Sequence, residues 1–458
     1  MARMMQDRYG GAHTTTSQLA VSSFEHAVAA VGAHRPAGEP LQISLKFDEG
    51  LISAHALLGF ANVILARSET AILGSNLSAL ATRLLRERGG GTASERALVG
   101  ALSLAAAGQL KAAADLLESH LEEYPTNFVA LKIAHSLRFM SGQPAKMLAL
   151  TRSVLPNWTA ADAAFGFVLG CHAFGLEEMG YFREAEICGR DAYRQERSDA
   201  WGLHAVSHVM EMSNRTDEGI DWLEASRSDW SNCNNFAFHI GWHLALFHLE
   251  RGDIPAVLSI YDHDVRLTPT DDFRDMANAA SLLWRLEEEG VDVGKRWIEL
   301  HDIAYKRRTD TTYVFGSLHY LLVLVARGDK AGVADLVEAL QERARLGSDD
   351  QSDIAARIGL PLAAVITGMV GPALSTEDIT RMAALLPGIG GSHAQRDVFL
   401  RTLLLSASRS GNIANVVALS RVRQSLRSSD RFIRMIDRHC GQASAVRASI
   451  GGSKELAL

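Results

Sequence analysis

The sequence predicts an all-α fold, an α-solenoid of antiparallel helix pairs, and two observations carry this prediction. Apolar residues make up 47% of the 458 residues while only 10 residues are proline, and a composition rich in alanine and leucine but poor in proline favours helices. Helical segments also recur at a nearly constant spacing, whereas no segment alternates long enough between apolar and polar residues to predict a sheet.

The clearest repeat lies between residues 94 and 127 and spans 34 residues, the tetratricopeptide period. Small residues around Ala101 and Ala113 face each other across a turn at Gly108, so two antiparallel helices can approach closely. Pro125 then ends the second helix, because proline cannot continue a helix. This unit therefore predicts a tetratricopeptide-like helix pair.

The same pattern returns in the centre of the chain. The turn residues Gly180, Asn214 and Gly252 are spaced by 34 and 38 residues, and a small residue lies seven positions before each of them. We expect one continuous array in which each pair packs on its neighbours. The predicted helices of the centre cover residues 167–180, 181–197, 199–214, 216–227, 235–252 and 253–266.

The flanks carry weaker copies of the pattern and suggest the domain organisation. We expect residues 1–346 to form the solenoid, with a histidine-rich centre at 172–275, and residues 347–458 to form C-terminal helical repeats that cap it. Thr92-x-x-Glu95 and Ser375-x-x-Asp378 predict helix starts with capping boxes. Further helices are expected at residues 54–66, 128–140, 276–289, 313–326, 355–369 and 398–409.

Charge and cysteine usage limit the classes of function. A net charge of −7 argues against nucleic acid as a partner, and the arginines between residues 421 and 438 are interpreted as a solvated helix face. No window of 18 uncharged apolar residues predicts a membrane span. Sparse cysteines and the lack of a signal peptide favour the cytoplasm. The four cysteines are Cys171, Cys188, Cys233 and Cys440.

A histidine cluster is the main candidate site. Seven of the 17 histidines lie between His172 and His263. His204 and His208 are four residues apart and so share one helix face, and His239 and His243 repeat that spacing 35 residues later. On adjacent helices the four imidazoles, with the nearby Glu211 carboxylate, are expected to converge within about 10 Å.

Three interpretations of this cluster remain open from the residues alone. The histidines could pack in the core and bond to their neighbours. They could bind zinc or another divalent transition metal, with His204, His208, His239 and His243 as ligands. They could instead perform metal-free acid–base chemistry or bind a ligand beside carboxylates. Neither a phosphate-binding loop, a GxSxG elbow nor an HExxH motif is present to favour another chemistry.

A family resemblance carries the same residues. Phe174-Gly-Leu-Glu-Glu178, His204-Ala-Val-Ser-His208-Val-Met-Glu211 and His239-Ile-Gly-Trp242-His243 resemble the tetratricopeptide repeat protein 38 family over about residues 7–340. The resemblance implies a tetratricopeptide fold and transfers no activity. This chain departs from the family at Asn278, Gly316 and Ser317. The polar set it shares with the family is Glu178, His204, His208, Glu211, His239, Trp242, His243, Asp262, Asp275 and His319.

These observations lead to a functional hypothesis. We expect a small-molecule pocket on the concave face of the solenoid, with a catalytic site of hydrolase or lyase type. His204 or His208 would act as general base, Glu211 would orient it, and His239 and His243 would be ligands or electrophiles. The alternative is a non-catalytic scaffold for a peptide or protein, and a homo-oligomer stays open. The expected ligand-binding residues are Glu178, Trp201, Trp242, Asp262, Asp275 and His319.

Overall fold

The computed structural model describes residues 4–368, 374–428 and 430–438, and these residues are mainly helical. The all-α prediction is thereby confirmed. Residues 431–438 form a last helical segment after the numbered helices. The helices are α1 (Gln18–Gly32), α2 (Gly38–Phe47), α3 (Ile52–Ile64), α4 (Ser68–Glu87), α5 (Ala93–Ala106), α6 (Leu110–Glu123), α7 (Phe128–Met140), α8 (Pro144–Val154), α9 (Phe165–Glu178), α10 (Phe182–Gln195), α11 (Ala200–Met212), α12 (Thr216–Ala225), α13 (Arg227–Trp230), α14 (Phe236–Arg251), α15 (Ile254–Ile260), α16 (Phe273–Glu288), α17 (Trp297–Lys306), α18 (Val314–Ala326), α19 (Lys330–Leu346), α20 (Asp350–Ile354), α21 (Leu360–Ile366), α22 (Thr376–Leu385), α23 (His393–Arg409) and α24 (Ile413–Leu426).

Short elements that the sequence did not predict complete the fold. Two strands, β1 (Met4–Gln6) and β2 (Ala12–Thr14), pair in antiparallel register. Each has three residues, too few to produce a readable alternation. Single turns of π-helix at Tyr261–Val265 and Ala355–Gly359, and of 3-10 helix at Leu155–Asn157 and Leu386–Ile389, extend neighbouring helices.

The helix pairs of the centre follow the predicted turns. Gly108, Gly180, Asn214 and Gly252 all have positive φ, at 78°, 78°, 56° and 81°. Glycine and asparagine tolerate this left-handed backbone best, and it ends a helix. α9 packs on α10, and α11 packs on both, so consecutive helices are neighbours in space. The turn residues therefore mark the true ends of the first helices.

Two helix starts form where their sequence motifs predict them, the first with a full capping box and the second with the hydrogen bond to its N-cap side chain alone. The Thr92 hydroxyl accepts a hydrogen bond from the Glu95 N–H, and the Glu95 carboxylate accepts one from the Thr92 N–H. The Ser375 hydroxyl accepts a hydrogen bond from the Asp378 N–H at the start of α22. Both motifs thus satisfy N–H groups that a helix start leaves unpaired.

Residues distant in sequence also meet, which brings the C-terminal part beside the centre. The Asp350 N–H donates to the Gly108 carbonyl at 3.2 Å, and the Tyr313 hydroxyl donates to the Met140 carbonyl at 3.0 Å. The His393 N–H donates to the Glu178 carboxylate at 2.8 Å. Contacts between repeats thus extend beyond immediate neighbours, and α23 lies against both α9 and α16.

The interpretation of the C-terminal arginines as a solvated face is wrong in part. Arg421 is exposed, but Arg423 is buried and its guanidinium contacts the carboxylates of Asp397 and Asp430 at 2.7 and 2.8 Å. Asp397 lies on α23, whereas Arg423 lies on α24. The counter-charge of Arg423 therefore comes from another helix, and the sequence around Arg423 does not show this.

Three of the four cysteines lie in the described part of the chain. Cys171, Cys188 and Cys233 carry free thiols, and Cys440 lies outside the described residues. Within the described part of the chain, no helix is both long and apolar enough to cross a bilayer.

Replacing Gly142 by alanine is expected to destabilise the protein by about 2 kcal/mol more than replacing Gly328. Both glycines have φ near the same value, 61° and 66°. A Cβ at Gly142 would lie 1.7 Å from the Pro387 carbonyl oxygen, whereas a Cβ at Gly328 meets nothing within 4 Å. Urea unfolding of the two variants measures the difference. Equal losses would show that the contact between residues 142 and 387 is not tight.

Candidate metal centre

The four central histidines lie on two packed helices. α11 carries His204 and His208, and α14 carries His239 and His243. Because each pair is separated by four residues, both of its imidazoles leave the same face of the helix. All four side chains are buried, and the most accessible, His239, is 8% exposed. The predicted histidine cluster is therefore present, and it lies in the protein interior.

The Nε2 atoms of these histidines converge on one point. Nε2 of His204 lies 2.9 Å from that of His239, 2.9 Å from that of His208 and 3.1 Å from that of His243. The Nε2 atoms of His239 and His243 are 3.2 Å apart, and the four ligand atoms all lie within 4.8 Å of one another. Four nitrogens at about 2.0–2.1 Å from a tetrahedral zinc would be about 3.3 Å apart, so the spacing is close to that of a metal site.

The opposite ring nitrogens of three of the four histidines face oxygen atoms, whereas Nδ1 of His204 has no hydrogen-bond partner among the described residues. Nδ1–H of His243 donates to Glu211 at 2.9 Å, and Nδ1–H of His239 donates to the Asn278 side-chain oxygen at 3.0 Å. Nδ1 of His208 faces the Glu177 carboxylate at 3.4 Å. An oxygen acceptor at Nδ1 places the ring proton there and leaves a lone pair on Nε2. Such lone pairs repel one another unless a cation lies between them, which is the arrangement of metal-bound histidine.

Burial keeps most of the cluster uncharged. It lowers the pKa of His204, His239 and His243 well below the usual range, and the neighbouring imidazoles lower it further. Burial also acts to lower the pKa of His208, but the carboxylates of Glu177, Glu211 and Glu178 outweigh it and the net pKa is raised. Three neutral imidazoles are thus ready to ligate at neutral pH, and Glu177 and Glu211 supply negative charge beside them.

A second group of buried acidic side chains surrounds His208. Glu177, Glu178 and His208 offer ligand atoms within 4.8 Å of one another. The Glu178 carboxylate already accepts hydrogen bonds from the His393 N–H at 2.8 Å and from Arg396 at 3.0 Å. Neither oxygen of Glu177 has a hydrogen-bond partner within the described residues, apart from its close contact with His208. Glu178 therefore anchors α23, and Glu177 faces the histidines.

The glutamine variant of Glu211 is expected to lower metal affinity by about tenfold to a hundredfold, because the oxygen that orients His243 then carries no charge. Glu218 is exposed and contacts Arg215, so its glutamine variant is a matched control. Competition with a coloured zinc chelator measures both dissociation constants. Unchanged affinity in the Glu211 variant would mean that this carboxylate does not support a metal ligand.

A partly open cavity adjoins the cluster. It has a volume of about 160 Å³, and His204 and His239 form part of its wall. Trp201, Phe236 and Lys132 also face it. The segment around Ser392 and Gln395, from the C-terminal part of the chain, closes another side. Two of the four histidines therefore border a space in which a small molecule fits.

The residues expected to bind ligand lie in different places. Trp201 is in the cavity wall, and Trp242 is buried with its ring stacked on His239 at 5.4 Å. Asp275 is buried and accepts a hydrogen bond from Asn235, a cavity residue. Burial raises the pKa of Asp275 to about 6.

The remaining expected residues lie away from the cluster. Asp262 is exposed and pairs with Arg296 at 2.6 Å. His319 is buried, and its Nδ1–H donates to the Phe315 carbonyl at 2.8 Å. Neither residue touches the four histidines or lines the cavity.

Several residues around the four histidines and the cavity were not predicted from the sequence. The sequence analysis selected Glu178 and not its neighbour Glu177. Adjacent helical residues point in different directions, and only the structure shows which of the two faces the histidines. Lys132 and His34 enter the cavity from α7 and from the end of α1. Asn278 supplies an oxygen acceptor for His239 without adding a negative charge.

The burial of the cluster determines what can reach it. A peptide groove needs exposed side chains, and these four histidines are at most 8% exposed.

A comparison with models of known protein families finds none that matches this chain.

Proposed function

We propose that this protein is a metal-dependent enzyme of hydrolase or lyase type that acts on a small molecule in the cavity beside the four histidines. His204, His208, His239 and His243 hold one divalent transition metal ion, with zinc as the first candidate. The observation that carries the proposal is the convergence of four buried Nε2 atoms, with the opposite ring nitrogens of His208, His243 and His239 facing Glu177, Glu211 and Asn278.

The surrounding charges suit a divalent ion. The carboxylates of Glu177 and Glu211 lie beside His208 and His243, and Glu211 also contacts Arg427 at 3.4 Å. Carboxylates beside the ligating imidazoles favour a bound cation in a buried site. A bound ion of this kind supplies Lewis acidity, which polarises a carbonyl or water oxygen. His204 and His239 face the cavity, so a reacting group enters from their side. Lys132 and Asn235 line the same space and position the substrate.

The fold proposal is finer than an all-α assignment. We propose that the centre is a tetratricopeptide-like solenoid and that the chain is related to the tetratricopeptide repeat protein 38 family. The support is the left-handed turn residue after the first helix of each central pair, at Gly180, Asn214 and Gly252. The non-catalytic scaffold for a peptide or protein is the weaker alternative, since the histidines lie in the interior.

Cobalt substitution tests whether the ion is open to the cavity. Protein loaded with Co²⁺ is expected to show visible d–d absorption bands, and azide should shift them because a catalytic metal keeps a position for an exogenous ligand. In the Trp201→Ala variant, azide should still shift the bands unless the cavity has collapsed. A thermal melt of that variant is therefore measured alongside the titration. Bands that azide does not shift in the wild-type protein would indicate a closed, structural metal site and would contradict the enzyme proposal.

A further inference from the structure

The cavity beside the histidines has a positive wall. Its lining residues include the cations Lys132 and Arg274, and no aspartate or glutamate lines it within the part of the chain that the structure describes. The whole chain, by contrast, carries a net charge of −7. A cavity lined by one sign of charge attracts a ligand of the opposite sign. The wall therefore fits an anion.

Lys132 is the cation that lacks a counter-charge. It lies on α7, it is 7% exposed, and its Nζ lies 3.3 Å from Nε2 of His34 and 5.1 Å from the centre of the Trp201 ring. Among the described residues, no carboxylate oxygen lies within 4.0 Å of its Nζ. Burying an ammonium group without a paired anion is costly. An ammonium group donates three hydrogen bonds, and His34 accepts one of them.

The neighbouring charges do not neutralise Lys132. Burial raises the pKa of Asp199 to about 8 although Lys132 acts to lower it, and no ion pair within 4.0 Å joins the two side chains among the described residues. Arg274 is already paired, since its guanidinium contacts the Asp272 carboxylate at 2.8 Å. One positive charge therefore remains unmatched in the cavity, and a ligand with one negative charge matches it.

The rest of the wall is aromatic, and the space is small. A volume of about 160 Å³ is similar to that of a cavity which holds one benzene ring. Aromatic faces pack well against a planar apolar body. The aromatic lining residues are Phe139, Trp201, Phe236, Phe273, Tyr313 and Phe315.

We infer that the substrate of this site is a small organic carboxylate with a planar apolar body of about one ring, whose carboxylate pairs with Lys132. The inference rests on the proposed function only in calling this ligand a substrate, because the metal centre gives the cavity its chemistry. The binding of the anion itself depends on Lys132 and on the cavity alone.

Benzoate and its uncharged analogue benzamide test the inference by isothermal titration calorimetry with the full chain as purified. Wild-type protein is expected to bind benzoate at least about tenfold more tightly than benzamide. Lys132→Met should weaken benzoate binding by at least about tenfold and leave benzamide binding within about twofold, whereas Lys132→Arg keeps the preference. Lys146→Met is the matched control, because Lys146 is half exposed and pairs with Asp115.

Thermal melting separates ligand binding from a structural role. Without ligand, Lys132→Met should melt at or above the wild-type temperature, because the variant removes an unpaired buried charge. A structural lysine would give a lower melting temperature. A wild-type protein that does not prefer benzoate, or a Lys132→Met variant that keeps the preference, overturns the inference.

The same titrations on chelator-treated protein distinguish the two proposals. A benzoate preference that survives metal removal and depends on Lys132 supports the inference. A preference that disappears with the metal and ignores Lys132→Met overturns the inference and leaves the metal centre standing. A Lys132-dependent preference in protein that never binds metal overturns the proposed function alone.

Discussion

Acidification from pH 7 to pH 5 is expected to lower the unfolding free energy of the metal-free protein steeply, and three histidines of the cluster alone contribute about 4 kcal/mol per pH unit at the steepest point. Burial holds the pKa of His204, His239 and His243 well below that of histidine in an unfolded chain. Below about pH 6.5 the unfolded chain therefore binds protons at these positions and the native protein does not. Stability falls as the pH falls through this window.

His208 has the opposite sign. Although burial lowers its pKa, the carboxylate of Glu177 and its neighbours raise the net value. A histidine with a raised pKa contributes stability that is fully present below the unfolded pKa and is lost as the pH rises through the folded pKa. His208 therefore does not add to the loss in acid, and the other three imidazoles of the cluster contribute to the slope together with His34, His135 and His319, whose pKa values are also lowered.

Urea unfolding of chelator-treated protein at pH 7, 6 and 5 measures this slope. The variant His243→Asn should reduce the slope by about 1.4 kcal/mol per pH unit, the value for one proton. His263 is exposed, so His263→Asn is the control and should leave the slope unchanged. Equal slopes in wild type and His243→Asn would show that the cluster is not the source of the acid sensitivity.

Replacing Arg423 by methionine is expected to cost about 3 kcal/mol of unfolding free energy, because removing one partner of a buried ion pair leaves the other uncompensated. Asp397 and Asp430 are both buried beside this guanidinium. Burial acts to raise the pKa of Asp397, but Arg423 outweighs it and holds the pKa at about 2. Both carboxylates are therefore charged at neutral pH and need the arginine.

The control for Arg423 lies two residues away on the same helix. Arg421 is exposed, so Arg421→Met should change stability by at most about 0.5 kcal/mol. Chemical denaturation of both variants at pH 7 measures the difference. Similar small losses would mean that Arg427, which also contacts Asp430 at 3.3 Å, compensates for the missing charge. The buried network would then not depend on Arg423.

The local elements of the fold could be predicted because their signals lie within a few residues. The helix predicted at 128–140 coincides with α7, and the turns at Gly180 and Gly252 have the left-handed backbone that glycine permits. The contacts of Asp350 with Gly108 and of His393 with Glu178 could not be predicted in this way. They join residues more than 200 positions apart, and no local period encodes such pairs.

The four histidines of the site could be predicted from the sequence, but the residues around them could not. Two pairs of histidines at a four-residue spacing, one repeat apart, determine that their imidazoles meet. The partner of each Nδ1 atom depends on helix rotation, so Glu177 was missed in favour of Glu178. Lys132 was not predicted, because a single lysine on an apolar helix does not stand out in the sequence. It is unusual only once the structure shows that the side chain is buried and has no carboxylate beside it.

The metal content of the purified protein tests the central claim most directly. Elemental mass spectrometry of wild type and of His204→Ala/His239→Ala gives the result. The four-histidine centre predicts about one equivalent of a divalent transition metal in wild type, and loss of most of it in the double variant, which removes two of four ligands. Wild-type protein without metal after growth and dialysis with added zinc, or a double variant that retains the full equivalent, would contradict the metal centre.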